Sequence, residues 1–514
     1  MKSVFFYLLL SVLALSFTLG ELNANTPWST NVQVSSSTGN EATIAAFYPY
    51  VYVSYNSNPQ KFRTSTDGGN TWLAQTSFAG SCCDGSMYTD ELGYVHISVL
   101  WTSPSGVRYF RSTDNASTWS AGIIVNSGTP SSVDKNWTFN YKNRIYVAWV
   151  AYNVSTSEWR ARIAKSNDRG LTFMPQVQVN DGNTLSYRQW TVPREDPKDS
   201  NIVYVSMTWD RRSWGTGYVP PWQVFVAKST DGGNSWLPNV ALPDTGRSTT
   251  LIGNTPYSIT SSMAVSPTFN DVYVVWTDWY NNARSNVYFS RSTNGGTSFE
   301  TRVKIPTQPN PDTSYHFQPW IECDRYGTIH LIWYDTRGNA ATSSGGRKGT
   351  YYTYSTNRGV TWAPEERVSD TTDQFSGFMG HYQSFTTDSL RIYSTWTDRR
   401  NGTVHVYYAW RFLPTVVGLQ QTNNGIVKEF RLKQNYPNPF NPVTTIGYDL
   451  PKAGFVTLKI YDELGREIRS LINEVQNAGT HEVLWDGADY ASGTYFYKLE
   501  TGGFSETKRM ILVK

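Results

Sequence analysis

One octet, Ser-x-Asp/Asn-x-x-x-Thr/Ser-Trp/Phe, recurs six times and constrains this chain more than any other feature. It reads STDGGNTW at Ser65 to Trp72, STDNASTW at Ser112 to Trp119, SNDRGLTF at Ser166 to Phe173, STDGGNSW at Ser229 to Trp236, STNGGTSF at Ser292 to Phe299 and STNRGVTW at Ser355 to Trp362. An alternating apolar stretch flanks each copy on both sides, so the octet reads as the connection of a β-hairpin. The acid or amide at its third position (Asp67, Asp114, Asp168, Asp231, Asn294, Asn357) can bond backbone N–H groups a few residues on. Glycine supplies positive φ, and the closing Trp or Phe packs back onto a core. Six equivalent aspartates or asparagines are architecture, so none is assigned to catalysis.

A second repeat runs out of phase with the first. Strands of the type apolar-Tyr-Val-x-Trp-x-Asp occur at Val51 to Tyr55, Val95 to Trp101, Ile145 to Trp149, Val203 to Asp210, Val272 to Asp278, Ile329 to Asp335 and Ile392 to Asp398. Each follows a shorter strand such as EATIAAF or QPWIECD, giving a unit of inner strand, Trp strand, third strand, octet and outer strand. The seventh unit lacks an octet and an outer strand, and the segment Trp28 to Val34 looks like the missing piece. Pairing the two ends would close a ring and remove its exposed edges. The expected fold is all-β: a seven-bladed β-propeller over residues 27–411, with six blades as the alternative. Aromatic residues make up 15% of the chain and charged residues 17%, against about 25% charged in an ordinary soluble protein. That mixture suits buried strands and excludes a disordered chain.

The octets resemble the Asp box, or BNR repeat, of sialidases and other β-propellers. In that family the box is a structural turn on the outer rim, away from the active site. After Trp410 the pattern changes. Residues 412–430 read as a linker, and residues 431–514 as a small β-sandwich entered through Pro437, Pro439 and Pro442. Asn435 to Pro442, Tyr461-Asp462 with Gly465-Arg466, Trp485-Asp486-Gly487, Ser492-Gly493 with Tyr495, and Lys508 to Lys514 resemble the C-terminal sorting domain of the type IX secretion system. That domain is similar in turn to the immunoglobulin-like domain of flagellar hook-capping proteins. The resemblance implies passage through the periplasm, translocation across an outer membrane and contact of residues 431–514 with the secretion machinery. Residues 1–24 fit a signal peptide: Lys2, an apolar run from Val4 to Phe17, and small residues at Gly20 and Ala24. The run is shorter than the roughly 20 apolar residues of a membrane span, so no transmembrane anchor is expected in the mature, extracellular or surface-held chain.

Propeller ligands bind where inner strands begin. Aligning the units places Glu41, Cys83 with Asp84, Lys135 with Asn136, Arg188 with Gln189, Ser261, His316 with Gln318, and His381 with Tyr382 at that mouth. The resemblance to sialidases implies three arginines clamping the substrate carboxylate, a Tyr nucleophile polarised by Glu, and an Asp acid/base. The first unit has no Arg-Ile-Pro motif, and only Arg188 lies at an inner-strand position. Arg211, Arg212, Arg337, Arg399 and Arg400 follow the Trp strands. Glu41 and Asp84 are the carboxylate pair for a general glycosidase, which needs about 5 to 10 Å between them. The catalytic candidates are therefore Glu41, Asp84, Arg188 and Tyr382, and the ligand-binding candidates are Lys135, Arg188, His316 and His381.

The six histidines show no metal-ligand spacing, and neither metal nor cofactor is expected. Cys82-Cys83 is a candidate vicinal disulfide, with two reduced thiols as the alternative; Cys323 reads as a small buried hydrophobe. A net charge of +3 spread along the chain gives no basic stripe for nucleic acid. Two readings follow: an exported glycan- or protein-binding module, with Trp214, Tyr218 and Trp222 suited to sugar stacking, and an extracellular sialidase-like glycosidase.

Overall fold

The computed structural model describes residues 27–126, 132–153, 155, 158–179, 188–209, 223–243, 260–280, 284–305, 314–337, 346–375, 379–388, 391–414, 429–435, 438–440, 443–452, 454–476, 479–487 and 490–513. These residues form strands and turns, with no helix among them. The signal segment, most of the linker, the aromatics Trp214, Tyr218 and Trp222, and Arg211 and Arg212 lie outside them. The chain divides into two compact units, Met1–Val417 and Gly418–Lys514.

In the first unit, seven sheets with four strands in line follow in chain order. Their innermost strands are Asn40–Phe47, Ser81–Thr89, Ser132–Tyr141, Arg188–Asp196, Ser261–Val265, His316–Cys323 and Ser384–Thr387. Each touches the next, and Ser384–Thr387 also touches Asn40–Phe47, so the cycle closes as a β-propeller. The closing sheet is made from both ends of the unit: Val32 lies opposite Tyr408 and Gln33 opposite Tyr407. The sixth sheet carries one extra strand, Asp373–Phe375, paired to Gly346, Arg347 and Lys348.

The second strands are packed on both faces by neighbouring sheets. Ile329–Asp335 is therefore buried throughout rather than alternately, and Trp149, Trp276, Trp333 and Trp396 are fully enclosed. Cores lie between adjacent sheets; one combines Ala264 and Val275 of the fifth with Ile321 and Trp333 of the sixth.

The octets are hydrogen-bonded turns of one design. In the fourth, Asp231 accepts from Ser229 Oγ (2.7 Å), Ser235 N (2.9 Å) and Ser235 Oγ (2.5 Å), while Gly233 N donates to Ser229 Oγ (2.8 Å). The closing aromatic reaches the preceding sheet: Trp72 meets Tyr408 edge-on at 5.3 Å, and Phe173 meets Tyr109 at 4.8 Å. Gly69 shows why glycine stands in the turn. Its φ is +91°, and a Cβ there would lie 2.1 Å from the Tyr408 ring. Arginines in two octets add cross-ties between sheets: Arg169 bonds Asp90 at 3.0 Å, and Arg358 grips Asp271 with two bonds of 2.7 Å.

The second unit pairs a three-stranded sheet (Arg431–Leu432, Val443–Leu450, Gly479–Asp486) with a four-stranded one (Glu467–Gln476, Gly454–Tyr461, Gly493–Thr501, Phe504–Leu512). Both sheets contribute to one core that includes Ile446, Tyr448, Trp485, Leu458, Leu499 and Met510.

Candidate functional site

Five innermost strands break register at the same place, and at each break one non-glycine residue adopts the left-handed conformation. These are Glu41 (φ +50°), Asp84 (+52°), Lys135 (+51°), Trp190 (+61°) and Gln318 (+52°). A bulge re-aims its side chain, and a left-handed residue with a Cβ costs of order 1–3 kcal/mol unless its surroundings hold it there. Here the surroundings are one network. Lys135 Nζ lies 2.9 Å from Asp84 Oδ2, 3.5 Å from Glu41 Oε1 and 3.7 Å from Asp134 Oδ1. The Asn56 amide donates to Glu41 Oε2 and to Asp84 Oδ1 (2.8 Å), and its Oδ1 accepts from Asp84 N (2.6 Å). His381 closes the group from the seventh sheet, with N at 3.0 Å and Nδ1 at 2.6 Å from Glu41 Oε1.

Two further contacts fix the His381 segment. Gln318 Nε2 donates to Gly380 O (2.8 Å), and Gln383 Nε2 donates back to Gln318 O (3.0 Å). Lys135 Nζ faces the rings of Trp190 (5.5 Å) and Tyr382 (5.8 Å). Glu41, Asp84 and Lys135 are buried, and the His381 and Asp134 side chains, 25% and 24% exposed, face solvent.

The charges are unevenly shared. Burial works to raise the Glu41 carboxyl, but Lys135 and His381 outweigh it and hold Glu41 well below the usual range. Asp84 is pushed well above that range by burial, then by Glu41 and Asp134, despite Lys135. Burial opposes the charge on Lys135, yet Asp134, Asp84 and Glu41 raise it well above an ordinary lysine. Burial and the same carboxylates push Tyr382 up. Lys135 is thus favoured as an ammonium, and of the coupled carboxyls Glu41 is pushed toward the charged form and Asp84 toward the neutral one.

Trp137, Trp320 and Tyr382 pack together beneath this network, with centroids 4.7 Å and 5.0 Å apart. A cavity of about 20 Å³ lies among Trp137, Trp320, Thr43, Ser86, Arg194 and Glu322, room for one water. Arg194 and Glu322 pair there at 2.7 Å.

Five predicted mouth residues therefore belong to one buried neighbourhood: Glu41, Asp84, Lys135, His381 and Tyr382. His316 does other work, bonding Asn286 Oδ1 (3.1 Å) and Asp335 Oδ2 (3.2 Å). Arg188 begins its strand opposite Trp209, and its side chain lies outside the described residues. Arg337 and Arg400 are turned back onto the acids two residues before them. Asp335 accepts from Arg337 Nε at 2.8 Å, and Asp398 from Arg400 Nε at 2.9 Å. The possible Cys82–Cys83 bridge is not formed in this structure; Cys82, Cys83 and Cys323 are free thiols. Among the described residues, no three His, Cys, Asp or Glu side chains are grouped to hold a metal ion.

Sequence reasoning missed Asn56, which ends the strand Tyr50–Asn56 one residue after the repeat at Val51 to Tyr55. It also missed two buried sets of identical design, Asp90–His96–Tyr109 and Asp324–His330–Tyr352. Their signal was the spacing itself: each Asp stands six residues before its His.

No curated protein matches the sequence. Among solved structures, the chain is similar to a protein of unknown function from Dyadobacter fermentans DSM 18053 (11% identity, 75% of this chain and 99% of that one, TM-score 0.44). It is also similar to the Hadza microbial sialidase Hz136 (15%, 71% and 76%, 0.43) and to PorZ, a surface component of the type-IX secretion system of Porphyromonas gingivalis (14%, 92% and 59%, 0.36). Among the described residues, no helix is long and apolar enough to cross a membrane. Residues 434–514 match the secretion system C-terminal sorting domain, which marks the chain for export to the cell surface or beyond.

Proposed function

We propose that this chain is an exported surface propeller that binds a hydroxyl-rich ligand, a glycan or a glycan-bearing surface protein, without hydrolysing it. The division that goes with this reading is a signal peptide at 1–24, an Asp-box propeller at 27–411, a linker at 412–430 and an immunoglobulin-like sorting sandwich at 431–514. The observation that carries it is the internal neutralisation of the carboxylate pair. A glycosidase needs one carboxyl free to protonate the leaving group and another free to attack or to activate water. Here Lys135 and Asn56 each bridge Glu41 and Asp84, and both acids are buried. What remains partly exposed is polar, His381 and Asp134, with the buried Trp190 ring packed edge-on behind His381. The inward turn of Arg337 and Arg400 removes two guanidinium groups from any carboxylate clamp.

One observation favours the second reading, an exo-sialidase-like hydrolase. The two carboxyls are pushed apart in proton affinity, as an acid/base pair requires, with Tyr382 alongside. A glycan array probed with the wild-type protein and with His381→Ala tests the favoured reading. Binding weakened at least tenfold by the substitution supports it. Binding that His381→Ala leaves untouched removes the mouth from consideration.

A further inference from the structure

The strand Ser81–Thr89 breaks register twice, first between Ser81 and Cys83 and again between Cys83 and Ser86. Ser81 lies opposite Trp101 and Cys83 opposite Leu100, so Cys82 is an extra residue with no partner across the sheet. In a regular strand adjacent side chains point to opposite faces; a bulge breaks that alternation. The consequence is visible in the packing. Cys82 and Cys83 both lie against the same core, which contains Leu100, Val107 and Trp149, and both are only half-buried. The two thiols stand on adjacent residues against that one core, and Cys82 Sγ points at Leu100 O (3.7 Å). Cys323 packs in a different core, with Tyr273 and Trp333.

We propose that Cys82 and Cys83 are a redox-modified pair, a bulge-presented dithiol that a small-molecule disulfide converts reversibly to a vicinal disulfide beside the ligand mouth. In the forward direction two Sγ–H bonds break and one Sγ–Sγ bond forms. The two electrons and two protons pass to the oxidising disulfide, which leaves as two thiols. The compartments that an exported protein crosses are oxidising, and a protein disulfide there takes the same two electrons and two protons as the small-molecule one. The next residue is Asp84, whose N–H donates to Asn56 Oδ1 and whose carboxyl holds Lys135. Closing the ring fixes the Cys82–Cys83 peptide, one residue before Asp84, so oxidation is transmitted to the network through the Cys83 backbone. The inference does not depend on what the mouth binds.

The test uses the purified full-length protein, equilibrated with oxidised glutathione, alkylated without reductant and mapped by mass spectrometry. The expected peptide carries both Cys82 and Cys83 unalkylated and lacks two hydrogens, while Cys323 is not joined to either. Dithiothreitol restores two alkylatable thiols. Cys82→Ser and Cys83→Ser each stop at a glutathione adduct on the remaining thiol. Both thiols alkylated after equilibration, or a bond from either to Cys323 or to a second copy, overturns the proposal. Hydrogen exchange at the Asp84 amide reads the coupling in the wild-type protein and so stands even if a serine variant fails to fold. A rate that changes severalfold on oxidation and returns on reduction is expected, and an unchanged rate overturns the transmission to Asp84.

Discussion

Replacing Lys135 with methionine keeps most of the side-chain volume and deletes the one ammonium that serves Glu41 and Asp84. Removing one partner of a buried ion pair costs about 3–5 kcal/mol, because the other charge is left in a poorly solvated place. The lower end applies here. Asp84 is already pushed toward its neutral form, Asp134 is partly solvated, and His381 still bonds Glu41. The expected loss is therefore about 3 kcal/mol, dominated by one bare carboxylate. Without Lys135, burial pushes the Glu41 carboxyl up against the remaining hold of His381. A carboxyl raised in this way costs stability at high pH, and the cost fades as pH falls toward the unfolded value of about 4.3. Urea unfolding followed by tryptophan fluorescence reports the propeller, since every tryptophan except Trp485 lies within residues 27–411. The loss should be full near pH 7.5, shrink as pH falls toward about 4.3, keep shrinking below it as the wild type loses the stability of its depressed Glu41, and be largely recovered at neutral pH by adding Glu41→Gln. A loss under about 1 kcal/mol, or one that neither pH nor Glu41→Gln reduces, would refute the electrostatic account of this network.

Four further outcomes follow from the same geometry. Asp231→Ala should cost about 1–2 kcal/mol in urea unfolding, from the bonds it accepts in its turn, and should leave ligand binding unchanged. Hydrogen bonds from Ser235 lead in holding Asp231 at about 2, and those from Ser166 and Thr172 outweigh burial to hold Asp168 there. Both contribute stability above the unfolded value of about 3.9, lost as pH falls through about 2, so acid titration should weaken the propeller in that window. Gly69→Ala should cost about 2–5 kcal/mol in thermal or urea unfolding through positive φ and the Tyr408 clash, while Gly402→Ala, with φ +83° and open space, should cost only about 1 kcal/mol. Deleting residues 434–514 removes a core built wholly within the second unit, so export, followed by cell fractionation, should stop while propeller unfolding is unchanged.

The architecture was legible because its signals are local and repeated. The octets marked hairpin turns through Asp, Gly and a closing aromatic, and the Trp strands marked the second strand of each sheet. Val32 and Gln33 were found by asking what the last unit lacked. The site was legible only as a position along the inner strands. Glu41, Asp84 and Lys135 were placed at the mouth, but their left-handed backbone was not readable, because a non-glycine residue at positive φ carries no compositional mark. Nor does the sequence say that three bulges will turn Glu41, Asp84 and Lys135 toward one another, with Asn56 from a second strand bonding the two acids. His316 was read as a ligand residue from its strand position alone; the structure pairs it with Asp335, the acid that also holds Arg337. Asp373, in the extra strand of the sixth sheet, gave no periodic signal, yet it pairs with the buried Lys348 at 3.0 Å.

The central claim is that the mouth binds and does not hydrolyse. A panel of fluorogenic glycosides, sialosides included, incubated with the wild-type protein and with Glu41→Gln and Asp84→Asn, addresses it most directly. The account predicts no turnover of any substrate by any of the three proteins. Turnover by the wild type that either substitution abolishes would contradict it and make Glu41 and Asp84 an acid/base pair.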